Sequence, residues 1–210
     1  MCSASSKADP DRLGQKYDQV APGWADKMRL LGYFDAYLGF LSSGPQAELG
    51  SNVLDIGCGT GAFAEARAII RPEGQVVLLE PSARMLQLAQ SALQRRGLDT
   101  ELVQSRLEEF QPSSKFDCLL AAHVLEHCVD PIAALRRMRE LAEPGATIWL
   151  VVSKPHWCNA IIWLQWRHRS FRPAAVADML ARSGWELQAE HSFPTGPPSR
   201  TSRGYRAIAI

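Results

Sequence analysis

The run Val53-Leu54-Asp55-Ile56-Gly57-Cys58-Gly59-Thr60-Gly61 constrains this chain more than any other stretch. Its apolar opening, Val53 to Ile56, reads as a central strand buried on both faces. The glycines at 57, 59 and 61 let the backbone take positive φ and leave bare main chain for a ligand to lie against. A helix from about Ala62 then offers its first N–H groups and a positive dipole end. Turns of this kind can hold a dinucleotide pyrophosphate. Here, however, the spacing is G-x-G-x-G rather than G-x-G-x-x-G, and Asp55 sits at the strand end. A carboxylate repels an anion and suits a ligand carrying an ammonium and a sulfonium.

Strand and helix signals alternate onward. The helix from Ala62 stops near Ile70, before Pro72 and Gly74. Gln75 to Leu79 is a second strand with Glu80 at its carboxyl end, where a carboxylate can accept ribose hydroxyls. Ser82 caps a helix to about Arg96, and Thr100 to Gln104 is a third strand. Phe116 to Ala121 is a fourth, Asp130-Pro131 opens a helix, and Ala146 to Val152 is a fifth strand. Arg172 to Ser183 reads as a helix, Trp185 to Phe193 and Gly204 to Ile210 as strands, and Pro194 to Arg203 as the loop between them. Upstream, residues 1–10 read as a disordered tail. Helical turns begin at Asp11, and a second helix spans Trp24 to about Leu41 with Met28, Leu31, Phe34 and Leu38 on one face. The order predicts an α/β fold with a doubly wound, mostly parallel sheet that binds ligands at the carboxyl ends of its strands.

At 210 residues the chain has the size of a single domain. Lys plus Arg number 23 and Asp plus Glu 22, so no global attraction to nucleic acid is implied. Cys2, Cys58, Cys118, Cys128 and Cys158 are scattered and odd in number, as reduced thiols are. The first residues lack an apolar signal core and no apolar run reaches membrane-spanning length, so a soluble, cytoplasmic protein is expected.

VLDIGCGTG, VVLLEPS with Glu80, FDCLLAAHVLEHCVDP (Phe116 to Pro131) and PGATIWLVV (Pro144 to Val152) resemble, in order and spacing, the motifs of class I S-adenosylmethionine-dependent methyltransferases. The pattern is most similar to the quinone-biosynthesis and related metabolite methyltransferases. The resemblance covers roughly Tyr17 to Val152. It implies a seven-stranded, Rossmann-like sheet completed by a carboxyl-terminal hairpin, with cap helices over 11–50. It implies S-adenosylmethionine as cofactor, held by Tyr17, Asp55, Gly57, Cys58, Gly59, Gly61, Glu80, Pro81, Met85, Arg106, Leu107 and Ala121. Tyr17-Asp18 and Trp24 then lie over the cofactor, or else belong to a packing helix. Where the family commonly has Gly-Asp-Ala, this chain has Ser105-Arg106-Leu107. Arg106 only donates, so the adenine amino group falls to backbone at 106 and 107 or to Glu108.

His123-Val124-Leu125-Glu126-His127 matches the zinc pattern H-x-x-E-H. That pattern needs a helix carrying both histidines, and here it follows a buried strand, so no metal is expected. Methyl transfer from a sulfonium asks a protein to align the nucleophile, exclude water and let a proton leave. His123 and His127 are the catalytic candidates, each with a structural role as the alternative. Ser153 to Arg172, SKPHWCNAIIWLQWRHRSFR, reads as a lid. Three readings stand for it: an acceptor pocket, a peripheral membrane contact, or packing. In the first, Trp24, His156, Trp163, Trp166, Arg167 and His168 contact the substrate. The expected activity is methyl transfer to N, O or C of a small acceptor that is aromatic or apolar with an anionic group. Its alternatives are an inactive cofactor-binding subunit or sensor, and a nucleic-acid or protein methyltransferase. No N/D-P-P-Y tetrad follows the fourth strand, which argues against a nucleic-acid partner.

Overall fold

A computed structural model describes residues 23–156 and 169–210. Seven strands form one sheet: β1 (Asn52–Ile56), β2 (Gln75–Leu79), β3 (Thr100–Val103), β4 (Phe116–Ala122), β5 (Ala142–Ser153), β6 (Trp185–His191) and β7 (Ser202–Ala209). Their order is β3-β2-β1-β4-β5-β7-β6. The first five pair in parallel, and β7 runs antiparallel to both β5 and β6. The strand order reverses between β1 and β4, where a doubly wound sheet opens a crevice. Ile56 is level with Leu79 on one side and Ala121 on the other, so three carboxyl ends open into that crevice together.

Among the described residues, α1 (Tyr33–Ser42), α2 (Ala62–Ile70), α3 (Ala83–Gln94), α4 (Pro131–Leu141), α5 (Pro173–Ala181) and α6 (Gly196–Thr201) flank the sheet. Residues alternate across each strand, so one sequence builds two cores. Leu54, Ile56, Leu119, Ile148 and Leu150 pack with α4 and α5 on one face. Val53, Leu78, Cys118, Leu120 and Trp149 pack with α1, α2 and α3 on the other. The polar caps behave as their chemistry demands. Ser82 Oγ accepts from Met85 N at 3.1 Å, and Asp130 Oδ1 accepts from Ile132 N and Ala133 N at the start of α4.

The structure departs from the sequence-based boundaries in two places that matter. The single helix predicted from Trp24 to Leu41 is two: residues 23–30 are helical, the chain turns at 31–32, and α1 follows. Gly32 takes φ 81°, which ends one helix and starts the next in a new direction. Reorientation moves the buried face of α1 to Tyr33, Phe34, Tyr37, Phe40 and Leu41, so Leu38 is only half-buried. The predicted loop over 194–203 also contains α6, and β7 begins at Ser202 instead of Gly204. Proline early in α6 favours helix there at little cost, since its missing N–H would have no intrahelical partner anyway.

Candidate active site

The glycine turn leaves β1 with φ of 61°, 52° and 82° at residues 57, 59 and 61. The three positions do different things. A Cβ at 61 would sit 2.9 Å from the Ala89 backbone, so that glycine lets α2 meet α3. A Cβ at 57 would sit 2.9 Å from Val124 Cγ2, so that glycine admits the segment after β4. A Cβ at 59 would meet nothing within 4 Å. Position 59 therefore fronts open space, and its bare backbone is the cradle that a ligand can lie against.

Glu80 is buried beside this cradle, and its two oxygens tie two turns together. Oε2 accepts from Gly59 N at 3.1 Å and Oε1 from Ser82 N at 3.0 Å. Leu79 O accepts from Gly57 N at 2.8 Å and Cys58 N at 3.2 Å, which fixes the glycine turn to the end of β2. Asp55 is also buried, and its Oδ2 accepts from Ala64 N at 3.3 Å in the first turn of α2. Burial pushes its carboxyl up to about 8. The Ala64 N–H opposes that rise and the Glu80 charge adds to it. Burial chiefly raises the Cys58 thiol as well, with Asp55 and Glu80 adding to the effect, so Cys58 is no thiolate nucleophile.

Across the crevice, His123 follows β4 with φ 59°, the one positive-φ non-glycine residue among those described. Its N–H donates to Val151 O at 2.8 Å. A short 3-10 turn, Leu125–His127, follows it. The two histidines of the H-x-x-E-H pattern thus lie on a strand end and one tight turn, not on a helix face. Among the described residues no group of three or more His, Cys, Asp or Glu side chains gathers to hold a metal ion. His123 Nδ1 lies 2.9 Å from Glu126 Oε1 and 3.1 Å from Ser153 Oγ. Glu126 Oε1 also accepts from Ser153 N at 2.6 Å. Burial opposes the charge on Glu126, but the hydrogen bonds and charge of His123, with Ser153, hold its carboxyl below the ordinary value. His123 Nε2 and Glu126 Oε2 are buried without a hydrogen-bond partner among the described residues.

Helix α1 roofs this side. The Tyr33 ring meets His123 edge-on at 5.6 Å, and Tyr33 Oη shares a hydrogen bond with Thr201 Oγ1 at 2.9 Å. Tyr37 is buried, and its phenol is raised by burial first, then by Tyr33, Glu126 and Asp55. The preceding helix is clamped down by Arg29, which lies over the Phe34 ring at 3.9 Å and pairs with buried Glu65. Glu65 also takes Arg96 from the end of α3.

The other predicted site residues fall as follows. Met85 is fully buried in the first turn of α3, Ala121 is buried near the end of β4, and Leu107 is buried. Pro81 is exposed and accepts from Gln104 Nε2 through its carbonyl. Arg106 lies 3.7 Å from Glu108, both on the surface. Glu108, the acid expected to substitute for the missing one, is therefore turned to solvent. Trp24 is half-buried on the first helix with Lys27 over its ring at 5.9 Å, and His127 and His156 are half-buried. Tyr17, Trp157, Trp163, Trp166, Arg167 and His168 lie outside the described residues. Sequence reasoning missed Tyr33, Tyr37, Glu126 and Ser153. The tyrosines could have been found from their spacing of four on one helix face. Glu126 was visible only as the middle of a zinc-like pattern, and nothing local marked Ser153.

This strand order, with a glycine turn after β1 and an acid after β2, defines the class I S-adenosylmethionine-dependent methyltransferase fold. A family model described as a methyltransferase domain matches residues 27–191, and the chain belongs to that family. The Escherichia coli O7:K1 ubiquinone biosynthesis O-methyltransferase is 30% identical over 143 residues, or 64% of this chain and 58% of that protein. The chain thus matches little more than half the length of such curated relatives. Among solved structures, magnesium protoporphyrin IX methyltransferase of Synechocystis PCC 6803 with bound S-adenosylhomocysteine aligns with a TM-score of 0.68. That match is at 17% identity, over 99% of this chain and 90% of that one. The N-methyltransferase NodS of Bradyrhizobium japonicum WM9, also with S-adenosylhomocysteine, gives 0.65 at 18% identity, over 85% and 86%. At these identities the structural likeness concerns the fold. The cofactor of the class is S-adenosylmethionine, and the open face at Gly59 beside a buried acid fits it. No helix among the described residues is long and apolar enough to cross a membrane.

Proposed function

We propose that this protein transfers a methyl group from S-adenosylmethionine to a small acceptor with an aromatic or apolar body and an anionic group. The observation that carries the reading is Gly59, whose backbone fronts open space within hydrogen-bond reach of Glu80. Bound there, the cofactor supplies a methyl carried on a positively charged sulfur. Glu80 holds its ribose, the glycine turn holds its methionine part, and Met85, Pro81 and the backbone at 106 and 107 hold its adenine. Tyr17 and Trp24 close over it from the cap spanning 11–50. The segment 153–172 forms the acceptor pocket, with Trp163, Trp166, Arg167, His168 and His156 facing the substrate. Roofing of the β4 side by Tyr33 and Tyr37 supports an aromatic acceptor. The free, buried thiols support a reducing, cytoplasmic setting.

Two measurements test the reading. Calorimetry should show S-adenosylmethionine binding and no NAD binding. Trp166→Ala and Arg167→Ala should raise the KM for a carboxylated aromatic acceptor roughly tenfold while cofactor affinity holds. Equal losses for both ligands, with a lower Tm, would mean the segment only packs, and lost liposome binding with normal turnover would make it a membrane contact.

A further inference from the structure

We infer that His123 takes the proton from a phenol-type hydroxyl on the acceptor, and that Glu126 is the positioning residue that keeps Nε2 able to take it. This deepens the methyl-transfer reading above and rests on it.

The tautomer follows from the partners. Glu126 Oε1 lies 2.9 Å from Nδ1 and accepts from Ser153 N at 2.6 Å. An ionised carboxylate can only accept, so Nδ1 carries the hydrogen. Ser153 Oγ, 3.1 Å from the same nitrogen, accepts as well. In the neutral ring, Nε2 is then left with its lone pair. That atom is shielded from water and has no partner in the structure. A buried acceptor left unmet is costly, and a hydroxyl donor would recover that cost.

Position and strain agree with this role. Val124, the next residue, packs so close to Gly57 that a Cβ there would lie 2.9 Å away, so His123 stands beside the glycine turn. The backbone at His123 is left-handed, a strained conformation for a residue with a side chain, and β5 holds it through Val151. The titratable groups against the ring are Glu126 from its own turn and Tyr33 from α1, and Tyr37 feels the charge of Glu126. Asp55 and Cys58 lie on the β1 side, and Lys154 lies after β5.

The chemistry then selects the acceptor. A neutral amine already has its lone pair and gains little from a base, whereas a phenol, with a pKa near 10, becomes a good nucleophile as its proton departs. As the acceptor O–H proton passes to Nε2, the oxygen pair forms the new C–O bond and the C–S bond breaks with its electrons going to sulfur. The products are a methyl ether, a neutral thioether and an imidazolium. The imidazolium sits against the Glu126 carboxylate until water takes the proton.

The test uses the full chain, with catechol and an aromatic amine as probe acceptors. His123→Gln should lower kcat for catechol about 100-fold and abolish the acid limb of its pH profile. The isosteric Glu126→Gln should lower kcat about tenfold, with KM for catechol and calorimetric affinity for S-adenosylmethionine each within about twofold of wild type. In the unliganded protein, nitrogen NMR should show His123 protonated at Nδ1 and bare at Nε2. Methylation of the amine alone, an unchanged kcat in His123→Gln, or a proton on Nε2 in the neutral ring would each overturn the inference. If wild type binds no S-adenosylmethionine, the methyl-transfer reading itself falls. The NMR tautomer still decides what Glu126 does.

Discussion

At the carboxyl ends of β1 and β2 the site is made of backbone, and at those of β4 and β5 it is made of side chains. The first half consists of three positive-φ glycines, with the Gly57 amide tied to Leu79 and the Gly59 amide to Glu80, all within one βαβ unit. The second half brings Tyr33 from α1, His123 and Glu126 from the turn after β4, and Ser153 from the end of β5. A backbone cradle depends on steric rules that few residues satisfy, so its sequence is narrow and its ligand constant. A side-chain site can change with single substitutions while the sheet beneath it stays the same. The contrast explains how one fold keeps a methyl donor and varies its acceptors.

The sharpest way to break the contrast is within the glycine turn itself. Gly61→Val should cost about 3 kcal/mol or more, because its Cβ strikes the Ala89 backbone at a position that already needs φ 82°. Its loss of cofactor binding should come with a collapsed melting transition. Gly59→Val meets no atom but still needs φ 52°, so it should cost about 1–3 kcal/mol, less than Gly61→Val, and abolish cofactor binding while circular dichroism shows the fold retained. Identical stability for the two variants would show that neither glycine has the role assigned to it.

A smaller effect belongs to Asp55, at the seam between the halves. Its folded carboxyl titrates near 8, well above the ordinary value near 4. Between those values the unfolded chain has lost this proton and the folded chain keeps it. The Asp55 contribution to stability is therefore greatest below pH 4, falls as pH rises toward 8, and is level above that. Asp55→Asn cannot ionise, so the drop in Tm between pH 5 and 8 should shrink by several degrees. The same drop in both proteins would assign it to other groups.

What could be read beforehand follows the same division. The glycine spacing, the Asp55 and Glu80 strand ends and the βα alternation were legible because they obey local rules of φ, burial and period. The Glu126–His123–Ser153 contact was not, because its members are 3, 27 and 30 residues apart and meet only once β4 and β5 pair. Gly32 was overlooked as a break because an apolar stripe runs through it, and that stripe belongs to two helices pointing in different directions. The departure at Ser105-Arg106 was visible, but its consequence needed coordinates: Glu108 pairs with Arg106 at the surface and offers no acid toward the crevice.

The central claim, that one half of the site holds the donor and the other works on the acceptor, is tested most directly by titrating S-adenosylmethionine into two variants in a calorimeter. Glu80→Ala removes an acceptor that the ribose would use and also frees the amides of Gly59 and Ser82, so affinity should fall tenfold or more. His123→Gln changes the residue proposed to work on the acceptor, so its affinity should stay within about twofold of wild type. Equal losses in the two variants, or a loss confined to His123→Gln, would contradict the account.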